Sequence, residues 1–237
     1  MYLGRPSTLD RSVAIKVLHP HLSSSKRNRK RFAREARAIE TLRHDNILEI
    51  FDYSGTDAMD CYIITEFVNG ETLAELQERV GSLPSEATAI IGLRITQALE
   101  YAHSQKVLHR DIKPDNVMVR YDGAIKLMDF GIARFLDGTQ VTLTGALVGS
   151  PAFMSPEQAA EMDLDHRSDL FSLGTVLYEM TTGRNPFLGD TDYQTMEAVV
   201  GADPASPLSL RARAPRDLVR IIRRCLAGDP DVRYQDA

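Results

Sequence analysis

The sequence predicts an α+β protein in which a small antiparallel sheet precedes a larger helical region. Short apolar, β-branched segments lie in the first third of the chain, beginning with residues 12–18. After Asn69 and Gly70, apolar residues recur mainly at helical spacing. The chain has 237 residues, of which 43% are hydrophobic, enough for one large domain or two closely packed lobes.

The N-terminal elements are predicted to be strands around one helix. Residues 12–18 form an apolar strand, and the serines at 23–25 are N-cap candidates for a helix over residues 24–42. Two further strands are expected over 47–53 and 62–68, with a turn-rich link between them.

The C-terminal elements are predicted to be helices and one hairpin. Residues 170–180 are apolar almost all round, which favours a helix that is buried on most sides. Strands 117–119 and 125–127 flank a turn that contains Asp122 and Gly123. A further amphipathic helix reaching about His103 is indicated by Ala87, Ile91, Ile95, Ala98 and Ala102.

Composition argues against several classes of protein. The net charge of −5 gives no reason to expect nucleic-acid binding, and the basic residues between 26 and 37 fit a solvated helix face. No apolar run approaches the roughly 20 residues of a membrane helix, so we expect no membrane segment in this chain. Cys61 and Cys225 alone indicate no disulfide framework, and a reduced, intracellular setting is expected.

Two opposite charges lie in apolar settings near the N-terminus. Glu35 is three residues after Phe32 and four before Ile39, so it falls on the apolar stripe of its helix. Lys16 lies within the apolar strand. Because an unpaired buried charge is costly, each is a natural partner for the other. The alternative is a surface pair between Glu35 and Arg31.

A polar run and the hairpin together indicate a metal site. The run, residues 109–116, reads HRDIKPDN and leads into the hairpin. Because a hairpin brings its ends together, Asn116 and Asp129 should be neighbours, and their oxygens suit Mg²⁺. Asp111 could accept a proton from a hydroxyl nucleophile nearby. The alternative is that Asn116 and Asp129 serve only turn formation.

These motifs resemble the signature set of the protein kinase family. The set comprises VAIK at 13–16, Glu35, HRDIKPDN at 109–116, DFG at 129–131 and SPE at 155–157. Details such as MSPEQA and RSDLFSLGTVLYEM are most similar to bacterial serine/threonine kinases. The resemblance implies a two-lobed protein kinase-like fold, with an N-lobe over residues 1–67 and a C-lobe over 68–237.

The resemblance also implies an activity and its residues. The activity is transfer of the ATP γ-phosphate to serine or threonine hydroxyls of protein substrates. Asp111 would be the base, and Lys113 favours serine/threonine over tyrosine substrates. Lys16, held by Glu35, would contact the phosphates. Cofactor and structural roles are likewise implied for Ala14, Glu66 and Val68 at the adenine, for Asn116 and Asp129 at two Mg²⁺ ions, for Asp169 bracing the catalytic loop, and for a Glu157–Arg233 pair.

A long polar segment between Asp129 and Glu157 resembles an activation segment. Thr142 and Thr144 are its best candidates for phosphorylation, in trans by another copy of the chain. Arg110, immediately before Asp111, would bind the phosphate.

The chain departs from the family pattern at both ends. No G-x-G-x-x-G loop precedes the Lys16 strand, and residues 1–4 match the strand that follows that loop. The last family helix would follow residue 237. We therefore expect a cytoplasmic kinase domain truncated at both ends, whose parent could be membrane-anchored. The alternatives are a catalytically impaired scaffold, a gene fragment, or a small-molecule phosphotransferase, against which SPE at 155–157 counts.

Overall fold

A four-stranded antiparallel sheet forms the N-terminal part of the protein. The computed structural model describes residues 1–5, 12–17, 26–55, 61–130, 151–211 and 213–237. The strands are β1 (Tyr2–Gly4), β2 (Val13–Val17), β3 (Ile50–Tyr53) and β4 (Tyr62–Glu66), in the spatial order β1-β2-β4-β3. Ala14 of β2 lies opposite Thr65 of β4, so the two central strands bring two predicted nucleotide-site segments side by side.

One long helix, α1 (Lys26–Glu40), packs against this sheet. Its apolar stripe is buried, with Phe32 and Ala36 fully covered and Ile39 only 7% exposed. Basic residues occupy much of the remaining surface, which agrees with a solvated face. The helix ends at Glu40, two residues before the predicted end, where Leu42 N–H bonds back to the carbonyl of Ile39 in a final turn.

Eight helices in total lie in the described residues, and most of them follow the sheet. The buried helix predicted over 170–180 extends as α5 (His166–Thr182), whose side chains are covered along almost its whole length. It packs against α3 and α8 and forms the centre of the C-terminal lobe. The others are α2 (Leu73–Val80), α3 (Ser85–Ser104), α4 (Pro156–Ala159), α6 (Asp192–Gly201), α7 (Pro207–Leu210) and α8 (Arg216–Cys225).

A second sheet of three strands precedes and follows the polar run at 109–116. Its strands are β5 (Gly70–Thr72), β6 (Val117–Arg120) and β7 (Ile125–Leu127), in that spatial order. The β6–β7 hairpin was predicted, whereas β5 falls where only helices were expected. Three residues carry no periodic signal, and β5 is defined by its pairing with β6. Gly70 is required there because a β-carbon would collide with the backbone of Val119.

The segment between α1 and β3 is joined to β7. Ile47 forms a parallel bridge with Leu127, and Leu48 N–H donates to the carbonyl of Leu127 at 2.9 Å. The side-chain amide of Asn46 donates to the carbonyl of Ile125 at 2.9 Å. The strand predicted from 47 therefore begins only at Ile50, because the residues before it bond to β7 instead. None of the helices in the described ranges combines the length and apolar character that a membrane span requires.

Candidate active site

The polar run at 109–116 forms a loop that is held by one buried carboxylate. Asp169, in the first turn of α5, is 1% exposed. It accepts hydrogen bonds from the backbone N–H of His109 and of Arg110, each at 2.8 Å. The Nε2 atom of His103 lies 2.8 Å from the same carboxylate. The loop is thus fixed to the centre of the C-terminal lobe through its main chain.

The electrostatics of this anchor depend on burial and on its donors. Burial acts to raise the pKa of Asp169, but the hydrogen bonds from His103 and from the backbone N–H of His109 outweigh it, so the pKa is lowered. Burial lowers the pKa of His109, although the neighbouring carboxylates Asp169 and Asp111 oppose this. The arrangement is therefore an ionised Asp169 beside a neutral His109.

Asp111 lies in the loop with two donors on one carboxylate oxygen. Its Oδ2 accepts a hydrogen bond from Asn116 Nδ2 at 2.9 Å and lies 3.3 Å from Lys113 Nζ. Asn116 Nδ2 also donates to the backbone carbonyl of Asp111 at 2.7 Å. The side chains of Asp111 and Lys113 are each 19% exposed. The carboxylate is thus oriented by its neighbours and still reachable by a substrate.

The hairpin brings Asn116, the last residue of the run, close to the segment that carries Asp129. Val117 lies opposite Leu127, and Met128 N–H donates to the carbonyl of Asn116 at 2.9 Å. Asp129 follows directly, with a left-handed backbone at φ 60°. Its carboxylate contacts Lys16 Nζ of β2 at 2.7 Å. The two sheets therefore meet across this ion pair.

The oxygen atoms of Asn116 and Asp129 suit a hard cation. Both Nδ2 hydrogen bonds of Asn116 go to Asp111, and no hydrogen bond within the described residues reaches its Oδ1. That oxygen and the carboxylate of Asp129 are the ligand types that Mg²⁺ prefers. The residues therefore fit a magnesium ion.

Strand β4 ends at Glu66, one of the predicted adenine contacts. Glu66 Oε1 accepts from Lys126 Nζ at 2.7 Å and from the backbone N–H of Glu49 at 2.9 Å. Lys126 Nζ also donates to the carbonyl of Ile47 at 3.2 Å. This half-buried pair links the strand that leads to Glu66 with the strand that leads to Asp129.

An apolar stack between the lobes contains Ile39, Ile50, His109 and Phe130. All four are buried. The rings of His109 and Phe130 lie 4.5 Å apart, and Ile39, Ile50 and Phe130 line one small cavity together with Thr65. The stack joins α1 and β3 to the loop that carries Asp111.

Glu157 and Arg233 form a buried bidentate ion pair. The two guanidinium nitrogens lie 2.7 and 2.9 Å from the carboxylate oxygens, and Ser168 Oγ donates to Glu157 at 2.6 Å. Burial acts to raise the pKa of Glu157, but the hydrogen bonds from Arg233 and Ser168 lower it overall. The pair fixes α4 against the C-terminal end of the described chain.

Comparison with known proteins decides the family. A family described as protein kinase domain matches residues 1–235. The chain belongs to the protein kinase family. Its fold, an antiparallel-sheet N-lobe and a helical C-lobe, confirms the predicted fold class.

Relatives of this kinase domain are bacterial serine/threonine-protein kinases, as the sequence resemblance predicted. A probable serine/threonine-protein kinase of Clostridium perfringens is 37% identical over the whole chain, which covers 34% of that protein. A probable kinase of Streptomyces coelicolor is 39% identical, with 36% of its length covered. PknB of Mycobacterium leprae is 38% identical, with 39% covered. The chain thus spans little more than a third of the length of these relatives.

Several predicted residues of the kinase domain fall outside the described part. Thr142 and Thr144 lie between residues 131 and 150, which the structure does not describe. Glu35 lies in α1, but its side chain is outside the described part, so its pairing with Lys16 or Arg31 stays a prediction.

Two residues of the kinase domain were missed by the sequence reasoning. Lys126 gave no signal, because its partner Glu66 lies 60 residues away in the sequence. Gln158 did carry one: Ser155 followed three residues later by glutamine is the capping-box pattern, and both of its hydrogen bonds are present.

Proposed function

We propose that this chain is the catalytic domain of a serine/threonine protein kinase, which transfers the γ-phosphate of ATP to serine or threonine hydroxyls of proteins. The observation that carries the proposal is the environment of Asp111. An oriented, partly exposed carboxylate lies beside Lys113 and Asn116, on a loop held by Asp169.

The proposed roles follow from these positions. Asp111 would accept a hydrogen bond from the substrate hydroxyl and take its proton, since its carboxylate is fixed by Asn116. Lys113, on the same carboxylate oxygen, would place positive charge near the transferred phosphoryl group. Lys16 would exchange Asp129 for the nucleotide's α- and β-phosphates.

The cofactor and the nucleotide have assigned places in the proposal. Asn116 and Asp129 would hold Mg²⁺, which supplies neutralisation of phosphate charge when bound. Backbone groups of Glu66 and Val68 would bond to adenine, with Ala14 against its ring. Because the reaction consumes ATP, the proposal places the domain in the cytoplasm.

Phosphate transfer in the presence of Mg²⁺ and ATP tests the proposal. Nucleotide at about 100 times its dissociation constant should stabilise the wild-type chain by about 2.7 kcal/mol in a thermal-shift assay. The Asp111→Asn variant should bind nucleotide and transfer phosphate to a generic protein substrate about 10²–10⁴ times more slowly.

Asp122→Asn is the matched control, because Asp122 lies in the β6–β7 turn, where it accepts a hydrogen bond from Ala124 N–H and forms an exposed ion pair with Arg120. It should transfer phosphate at the wild-type rate. Transfer by Asp111→Asn at the wild-type rate would refute the assignment of Asp111 as the base. Nucleotide binding without transfer by the wild-type chain would support a scaffold instead.

The proposal extends to regulation by another copy of the chain. Thr142 and Thr144 would be phosphorylated in trans, and the phosphate would bind Arg110. Mixing active chain with the inactive Asp111→Asn chain should place phosphate on these threonines of the inactive copy, as measured by mass spectrometry. Labelling confined to the active copy would contradict a reaction in trans.

A further inference from the structure

The peptide unit that leads into Asp111 is held at both edges. Arg110 adopts a left-handed backbone at φ 66°, a conformation that residues other than glycine rarely take. Its carbonyl accepts a hydrogen bond from Gln158 Nε2 at 2.9 Å. Across the same peptide bond, Asp111 N–H donates to Nδ1 of His109 at 3.2 Å. The plane from which Asp111 projects is therefore set by two side chains.

Gln158 lies in the short helix α4 and is 2% exposed. Its Oε1 accepts the backbone N–H of Ser155 at 2.9 Å, and its own N–H donates to Ser155 Oγ at 3.2 Å. These two bonds complete the capping box of α4. A glutamate would complete the same box equally well, because only the side-chain oxygen is needed. The Nε2 donor is thus not required by the helix.

The Nε2 group of Gln158 donates instead to the carbonyl of Arg110. The residue before Gln158 is Glu157, which is fixed by Arg233, so α4 is a firm support for the contact. Asp169 holds the opposite end of the same residue, through the N–H of Arg110 at 2.8 Å. A strained residue is thereby clamped between α5 and α4.

We propose that Gln158 is a positioning residue that orients Asp111 by holding the carbonyl of Arg110. The inference rests on the proposed kinase activity, in which Asp111 is the base. It assigns to α4, beyond anchoring its own segment, a share in setting the geometry of proton transfer.

The Gln158→Glu variant separates the two uses of this side chain. It keeps the oxygen that accepts from Ser155 but places a carboxylate oxygen against the carbonyl of Arg110. We expect kcat to fall about tenfold at pH 8, with the dissociation constant for nucleotide unchanged, since Gln158 touches no predicted nucleotide contact.

Lowering the pH should rescue the variant. Burial and the facing carbonyl raise the pKa of the introduced carboxyl, and the negative charges of Asp169 and Glu157 raise it further. The positive charges of Arg110 and Arg233 act in the opposite direction. Once protonated, the carboxyl donates to the carbonyl of Arg110 as the amide did. The ratio of variant to wild-type kcat should therefore rise toward one as the pH falls, and taking the ratio removes the titration of Asp111 itself.

Two further variants serve as controls. Ser155→Ala breaks the other half of the capping box without touching the contact at Arg110, so it should lower the melting temperature and leave a pH-independent kcat ratio. Gln158→Met keeps the volume and adds no charge, but it removes both the donor to Arg110 and the oxygen that accepts from Ser155 N–H. Its kcat should therefore be lowered equally at every pH, and by more than that of Ser155→Ala.

A Gln158→Glu ratio that stays constant with pH, as for Ser155→Ala, would overturn the positioning role. So would a wild-type kcat in Gln158→Met. Absence of transfer by the wild-type chain is a different result, because it refutes the proposed function and, with it, the inference built on that function.

Discussion

Replacing Arg233 with methionine is expected to destabilise the domain by about 3–5 kcal/mol, the usual cost of removing one partner of a buried ion pair. Arg233 is fully buried and its partner Glu157 is 7% exposed. The guanidinium makes five hydrogen bonds: two to Glu157 and one each to the carbonyls of Ala227, Gly228 and Arg167. Methionine fills part of the volume but leaves the carboxylate and three carbonyls without their donors.

Urea unfolding at pH 7 measures this loss directly. For a chain of this length, a loss of 3–5 kcal/mol corresponds to a fall in melting temperature of roughly 6–20 °C. The double variant Glu157→Gln/Arg233→Met removes the stranded charge and should recover about 1–3 kcal/mol relative to Arg233→Met. A loss below about 1 kcal/mol, or a double variant that is strictly additive, would refute the assignment of the energy to an unpaired buried carboxylate.

The pH dependence gives an independent check of the same pair. The pKa of Glu157 is lowered in the folded protein, so the pair stabilises the fold above the ordinary glutamate pKa of about 4.3. This contribution is lost as the pH falls through the lowered pKa. In Arg233→Met the unpaired buried carboxyl takes up a proton at a higher pH than the paired one does in the wild type. The stability difference between the two proteins should accordingly be largest at pH 7 and shrink as the pH falls toward the lowered pKa of the wild type.

Other contacts give predictions of their own. Lys126→Met leaves the carboxylate of Glu66 without its cation and should lower the free energy of unfolding in urea by about 1–3 kcal/mol. The exposed pair between Arg120 and Asp122 is the control, and Arg120→Met should lower the free energy of unfolding by less than about 1 kcal/mol. An equal loss in both would contradict a special role for Lys126. Gly174→Ala puts a β-carbon 2.6 Å from Cβ of Cys225, so α5 and α8 must separate. The expected cost is about 1–3 kcal/mol by thermal melting, and a neutral effect would mean that the helices part freely.

Local patterns in the sequence were sufficient for most of the architecture. The strand containing Lys16, the hairpin ending before Asp129 and the helix around residues 170–180 each carry a local apolar or turn signal, and each is present. The predicted start of β3 at residue 47 was wrong, because residues 47 and 48 bond to β7 and the strand begins only at Ile50. No local pattern in the sequence indicates that link to β7.

The candidate site divides in the same way. Residue types and order predicted a set of site residues, and the structure brings Asp111, Lys113 and Asn116 of that set together. The family resemblance implied the Glu157–Arg233 pair and the brace at Asp169, and both contacts are present. It did not predict that Lys16 meets Asp129 or that Gln158 meets Arg110, because these contacts form only after distant segments have packed. Such contacts depend on distances across the fold rather than on spacing along the chain.

The contact between Lys16 and Asp129 makes each group the counter-ion of the other. Their side chains are 43% and 32% exposed, so water screens the pair and its rupture costs little, about 0–1 kcal/mol. In the proposed kinase, an incoming triphosphate and its cation would displace the two partners by ion exchange, the phosphates binding Lys16 and the metal binding Asp129. Nucleotide without metal would leave the carboxylate of Asp129 without a counter-ion, so nucleotide and metal should bind cooperatively. Added salt should weaken the ion pair between Lys16 and Asp129 in the nucleotide-free protein.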